Sequence, residues 1–149
     1  MYLRYAKVRD TRDPLRANYG DAGLDFFVPN AFEAVWLAPH DRVNIPSGIK
    51  VEVPHGWALV FFNKSGIAVN HGLFVGACVV DHGYRGEIHL NVVNTSVGPV
   101  EIRPGMKLAQ ALMLQVGAFV PQLVDEAVLY DSHPTISGRG SGGFGSTGI

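Results

Sequence analysis

The chain has 149 residues, 47% hydrophobic and 17% charged, with a net charge of −1 and a mean hydropathy of +0.14. That length fits one domain with a real core, and the apolar content excludes a disordered chain. The near-zero charge excludes a global field favouring nucleic acid or an anionic membrane, so neither is an expected partner.

The chain opens with a plausible strand at Tyr2–Val8. The basic residues Arg4, Lys7, Arg9, Arg12 and Arg16 are interrupted by Asp10 and Asp13, which reads as a solvated strand edge. Arg42–Ile45 and Gly48–Val53 flank a Pro46-Ser47-Gly48 turn, and Trp57–Phe62 follows Pro54-His55-Gly56. Helical periodicity is confined to Ser65–Asn70, with Ser65 able to cap it. Glu87–Val93 alternates, with Ile88, Leu90 and Val92 on one face. Val100–Ile102 runs into Arg103-Pro104-Gly105, and Lys107–Val116 makes another strand before Pro121. These elements predict an all-β fold, a jelly-roll-like β-barrel with one short helix. Residues 1–134 form the domain, and 135–149 form a flexible glycine-rich C-terminal arm.

Cys78 is the only cysteine, which excludes an internal disulfide and fits a reducing compartment. It sits in the apolar run Leu73–Val80, where a buried, inert thiol is expected. No signal-peptide pattern opens the chain and no apolar run approaches the ~20 residues of a bilayer span, so a cytoplasmic protein is expected. The six histidines show no metal-ligand spacing. The low charge suggests surface hidden against copies of the same chain.

Five segments carry groups with chemical potential. Asp21-Ala-Gly-Leu-Asp25 sets a carboxylate just after a glycine turn, which on its own reads as a turn aspartate. Asn63-Lys64-Ser65-Gly66-Ile67 sets a cation and a hydroxyl at the helix start, which suits either phosphate or a simple N-cap. Val79-Val80-Asp81-His82-Gly83-Tyr84-Arg85-Gly86-Glu87 puts an aspartate after an apolar strand. It can hold a water as general base, or the segment can be an ordinary β-hairpin. Pro104 to Gln110 places one amide, Gln110, in an apolar strand, where it must bond a ligand or a neighbouring backbone. The last segment, Gly138 to Gly148, has six glycines around Arg139, Phe144 and three hydroxyls. Arg139 can fork onto a phosphate and Phe144 can lie on a base, while Ser146 and Thr147 can cradle anionic oxygens.

In this order the five segments resemble the trimeric deoxyuridine triphosphatases (dUTPases), which convert dUTP to dUMP and pyrophosphate. The resemblance covers about Tyr19 to Gly148. It implies a β jelly roll and a homotrimer whose active sites are shared between subunits, the arm of one chain reaching over a site that it does not build. It implies Mg²⁺ as cofactor, held by Asp25 through water. It gives Lys64, Ser65, Gly66 and Gln110 to the phosphates, and makes Asp81 the base that activates water for attack on the α-phosphorus. Tyr84 would pack on deoxyribose and exclude a 2′-hydroxyl. Arg139, Ser146 and Thr147 would grip the outer phosphate, and Phe144 would cover uracil. The implied role is to limit uracil in DNA and to supply dUMP.

The chain departs from the family's usual pattern at four places. Lys64 stands for an arginine, Asn63 for a proline and Cys78 for a glycine. Gly72–Val80 contains no asparagine, with Val75 near the usual place of one, so base recognition would rest on backbone groups of residues about 75 to 84. Two alternatives stand beside this reading. The related dCTP deaminases, or bifunctional deaminase/dUTPases, share the fold and the aspartate-turn-aromatic motif. They need an Arg-Ser pair that Asn63-Lys64-Ser65 lacks. A nucleotide-gated regulatory protein would bind a protein partner, but no obvious insertion or extra domain marks one.

Overall fold

The computed structural model describes residues 2–132 and 140–142. In chain order the elements are β1 (Arg4–Lys7), β2 (Leu24–Phe27), β3 (Val35–Leu37), β4 (Arg42–Pro46), β5 (Ile49–Glu52) and β6 (Trp57–Asn63). The helix α1 (Ser65–His71) precedes β7 (Leu73–Val75), β8 (Val79–Val80), β9 (His89–Asn94), β10 (Val100–Ile102) and β11 (Lys107–Gln115). All of these belong to a compact unit, Met1–Gly117. A second unit, Ala118–Ile149, contains a 3-10 turn at Glu126–Val128, where the Asp125 carboxylate accepts from the Ala127 N–H.

Pairing is antiparallel throughout the named ladders. The largest sheet runs β2-β11-β6-β8 and the next β4-β9-β7, with β1-β5 and β3-β10 as two-stranded ribbons. Inward residues of the two larger sheets share one core, including Phe26, Leu59 and Leu108 from the first and Ile45, Leu73 and Leu90 from the second. Phe26 and Phe61 meet edge to face with centroids 4.9 Å apart. This is a double-sheet jelly roll with one short α-helix. The all-β, jelly-roll-like expectation holds; among the described residues the sheets are separate and do not close into a barrel.

The alternation of the 87–93 segment holds. Ile88, Leu90 and Val92 are buried at 2%, 1% and 1% exposure, while His89 faces outward. The helix starts as expected but is capped differently: Lys64, in extended conformation, takes the N-cap position, and Ser65 is the first helical residue. The helix ends on Gly72 at φ +64, where a side chain would also meet Ser96. Segment 79–87 is no hairpin, because β8 pairs with β6 whereas β9 pairs with β4 and β7. It crosses from one sheet to the other. Among the described residues no helix is long and apolar enough to cross a membrane.

Candidate active site

Asp25 lies inside strand β2 rather than in a turn. Its neighbour across the ladder is Gln110 on β11, and the partner of Gln110 on β6 is Phe62. Directly opposed residues share a face, so the three form a row on one side of the sheet. Gln110 Nε2 donates to the Asn63 carbonyl at 2.9 Å. A Cβ on Gly23 would stand 2.0 Å from Gln110 Oε1, so the amide needs glycine there.

The Asp25 side chain is only 5% exposed, and two ammonium groups compensate it. Lys64 Nζ pairs with Oδ1, and Lys107 Nζ lies 3.1 Å from Oδ2. A buried carboxylate requires such partners. Lys107 was not among the residues expected from the sequence. Strict alternation would set positions 107 and 110 on opposite faces, but the ladder shifts register between Lys107 and Ala109. That bulge brings Lys107 opposite Phe27 and onto the face of Asp25 and Gln110. Leu108 and Ala109 both enter the core as a result. Arg12 stacks over the Phe27 ring at 4.4 Å, so a third cation stands on this face beside the two that pair with Asp25. Such a surplus of positive charge suits a polyphosphate.

Asp81 and Tyr84 belong to a second place. The Tyr84 N–H donates to the Asp81 carbonyl at 3.2 Å, and Gly83, at φ +92, makes the turn between them. Tyr84 Oη donates to the Glu87 carbonyl at 2.9 Å. The ring lies so close over Gly86 that a Cβ there would be 2.3 Å from Oη. Glu87 itself accepts from Arg9 Nε and from the Gly48 N–H, both at 2.7 Å. Burial pushes its carboxyl up, but these two donors outweigh burial and hold it below the usual range. The Asp81–Tyr84 turn is thus tied through Glu87 to Arg9 in the N-terminal segment.

Beside Asp81 and Tyr84 opens a cleft of about 270 Å³, also lined by Asn44, Ala77, Cys78 and His89. Cys78 is therefore half-buried on a cleft wall, and not sealed in the core as expected. The Asp25 and Asp81 groups are not brought together by one chain. Val80, just before Asp81, pairs with Leu59 on β6, and Asn63, just before Lys64, lies four residues further along that strand. At ~3.3 Å per residue this is a separation of about 13 Å between those two stations. Arg139, Phe144, Ser146 and Thr147 lie outside the described residues.

The donor set at Asp25 bears on a metal. Among the described residues no group of three or more His, Cys, Asp or Glu converges, so no all-protein cage exists there. A carboxylate has about four acceptor positions, and two ammonium groups leave room for bonds from water. This fits a hydrated Mg²⁺ carried in with phosphates, which keeps several waters.

A cationic face and a cleft with an aspartate at its edge, on a jelly roll, define a protein built to handle a phosphorylated small molecule. A family model described as dUTPase matches residues 9–148. The chain is 42% identical over 142 residues to the deoxyuridine 5′-triphosphate nucleotidohydrolase of Leifsonia xyli subsp. xyli, covering 92% of this chain and 86% of that one. It is 35% identical to the enzyme of the same name from Desulfitobacterium hafniense, covering 99% and 96%. The fold matches the Staphylococcus bacteriophage 80alpha dUTPase with dUpNHpp at a TM-score of 0.83 and 23% identity, over 99% of each chain. It also matches a phage phi11 dUTPase variant, described as coordinating a structural Mg(II) ion, at 0.76 and 23%, over 85% of this chain and 98% of that one. The chain belongs to the dUTPase family, and it is an enzyme of the dUTP diphosphatase class.

Proposed function

We propose that the protein hydrolyses dUTP to dUMP and pyrophosphate through a water held by Asp81, at sites completed by neighbouring copies in a homotrimer. The observation that carries this reading is the division of labour on one chain. Cations and Gln110 gather at the Asn63 end of β6, while Asp81 follows β8, which pairs with Leu59 and Val60 further back along the strand. In the proposed trimer, a second copy would set its cationic face against the first copy's cleft.

In this scheme the uracil and deoxyribose occupy the Asp81–Tyr84 cleft, with the Tyr84 ring against the sugar. Lys64, Ser65, Gly66 and Gln110 bind the phosphates, with Lys107 keeping Asp25 compensated when Lys64 turns to the substrate. A Cβ on Gly66 would meet nothing within 4 Å, so the described packing does not itself demand glycine there, whereas close approach of a phosphate would. Asp81 accepts the proton of a water aligned in line with the bond from the α-phosphorus to the leaving pyrophosphate. Asp25 would hold Mg²⁺ through water, and the ion would neutralise charge on the triphosphate. Arg139, Ser146 and Thr147 would grip the outer phosphate and Phe144 would cover the base, as the family resemblance implies. The role served is limitation of uracil in DNA and supply of dUMP, in the cytoplasm.

Pyrophosphate release from dUTP, dCTP, dTTP and UTP, with and without Mg²⁺, tests the reading. Release from dUTP alone, dependent on Mg²⁺, is expected, and a chain cut before Arg139 should retain little of it. Deaminated product from dCTP would overturn the assignment in favour of a deaminase.

A further inference from the structure

The cleft wall at Ala77 and Cys78 belongs to a crossing between sheets that begins at Gly76, from β7, which pairs with β9, to β8, which pairs with β6. None of the three side chains is a strong hydrogen-bonding group. Whatever this wall reads on a base, it reads with its backbone, whose placement must therefore be fixed from outside.

Asn91 on β9 does this fixing. Its backbone carbonyl accepts from the Gly76 N–H at 3.0 Å, and its Oδ1 accepts from the Ala77 N–H at 3.2 Å. Its Nδ2 faces the Val43 carbonyl of β4 at 3.4 Å, so the amide has one orientation. The fit is close: a Cβ on Gly76 would stand 2.2 Å from Asn91 Oδ1. On the flanks, Asn63 Oδ1 accepts from the Val75 N–H at 2.7 Å and the Phe61 N–H donates to the Cys78 carbonyl at 2.7 Å. With those groups engaged, the Cys78 N–H and the Ala77 carbonyl are the backbone groups that this wall keeps for a ligand. A donor beside an acceptor complements the O4 and N3–H of uracil; cytosine presents the reverse order, an N4–H2 donor and then an N3 acceptor, so a backbone held in one position tells the two apart.

We infer that Asn91 is a positioning residue that sets base selectivity, replacing an amide within the loop by one reaching in from the adjacent strand. The inference rests on the proposed placement of dUTP in this cleft. Steady-state kinetics of Asn91→Ala, Asn91→Asp and Gly76→Ala on dUTP and dCTP test it, alongside the wild-type protein. Asn91→Ala should raise KM for dUTP about tenfold or more and narrow the preference over dCTP, with kcat within a few-fold. Asn91→Asp keeps an acceptor for the Ala77 N–H but sets an oxygen against the Val43 carbonyl, so it should recover part of both. Gly76→Ala keeps the amide but displaces it, so it should mimic Asn91→Ala and gives the same readout should that variant not fold. Unchanged KM and selectivity in Asn91→Ala or Gly76→Ala would overturn the inference, as would Asn91→Asp matching Asn91→Ala. Failure of the wild type to prefer dUTP would instead sink the functional reading beneath it.

Discussion

Lys107 Nζ stands 3.1 Å from Oδ2 of Asp25, placed there by a bulge in β11. With Lys64 on the other oxygen, a carboxylate only 5% exposed is held by two cations from two strand ends. Lys107→Met keeps the apolar stem but removes the charge, and should destabilise the protein by about 1–2 kcal/mol. The loss should shrink when Asp25 is already Asn, because the two residues are coupled. Urea unfolding of the four proteins checks this, and strictly additive losses would contradict it.

Tyr84 lies over Gly86 with no space for a methyl group. Gly86→Ala should push the ring off its position and raise KM for dUTP by about tenfold, while relaxing rejection of UTP. Tyr84→Ala should relax that rejection further, since the ring itself is gone. Comparison of kcat/KM for dUTP and UTP decides, and unchanged discrimination in Tyr84→Ala would mean another group excludes the 2′-hydroxyl.

Glu87 gives the fold a pH dependence whose expected sign follows from its two donors. Its folded-state carboxyl is held down by Arg9 and the Gly48 N–H against the opposing effect of burial. A lowered folded value stabilises the protein above the ordinary value of 4.5 and stops doing so as pH falls through the lowered one. Glu87→Gln should therefore lose about 1 kcal/mol at neutral pH. The gap to wild type should close below pH 4.5. Thermal melts across pH 3 to 8 measure it, and a gap that widened on acidification would contradict the assignment.

Much of this was legible in the sequence. Alternation marked β9, and turn residues bounded β4, β5, β6 and β11 to within two residues. Strands β2 and β3 were missed: β2, Leu24-Asp-Phe-Phe, carries three apolar residues around an aspartate and does not alternate, because Phe27 on its outer face is sheltered by Arg12 and Lys107. Lys107 was hidden for a related reason, since a bulge changes which face a residue takes and leaves no mark in composition. Asn91 was visible as a polar residue on the outer face of β9. Its bond to Ala77, 14 positions away, depends on how the loop folds back on the sheet. Asp25, Lys64 and Gln110 were legible as members of motifs, but their mutual contacts are products of the β2-β11-β6 register.

In the proposed reaction Asp81 activates the attacking water while contributing little to nucleotide affinity. Asp81→Asn, compared with wild type for both dUTP binding by calorimetry and pyrophosphate release, tests it most directly. Affinity should stay within a few-fold while turnover falls by about 10²–10⁴. Turnover near the wild-type rate with intact binding would contradict the account.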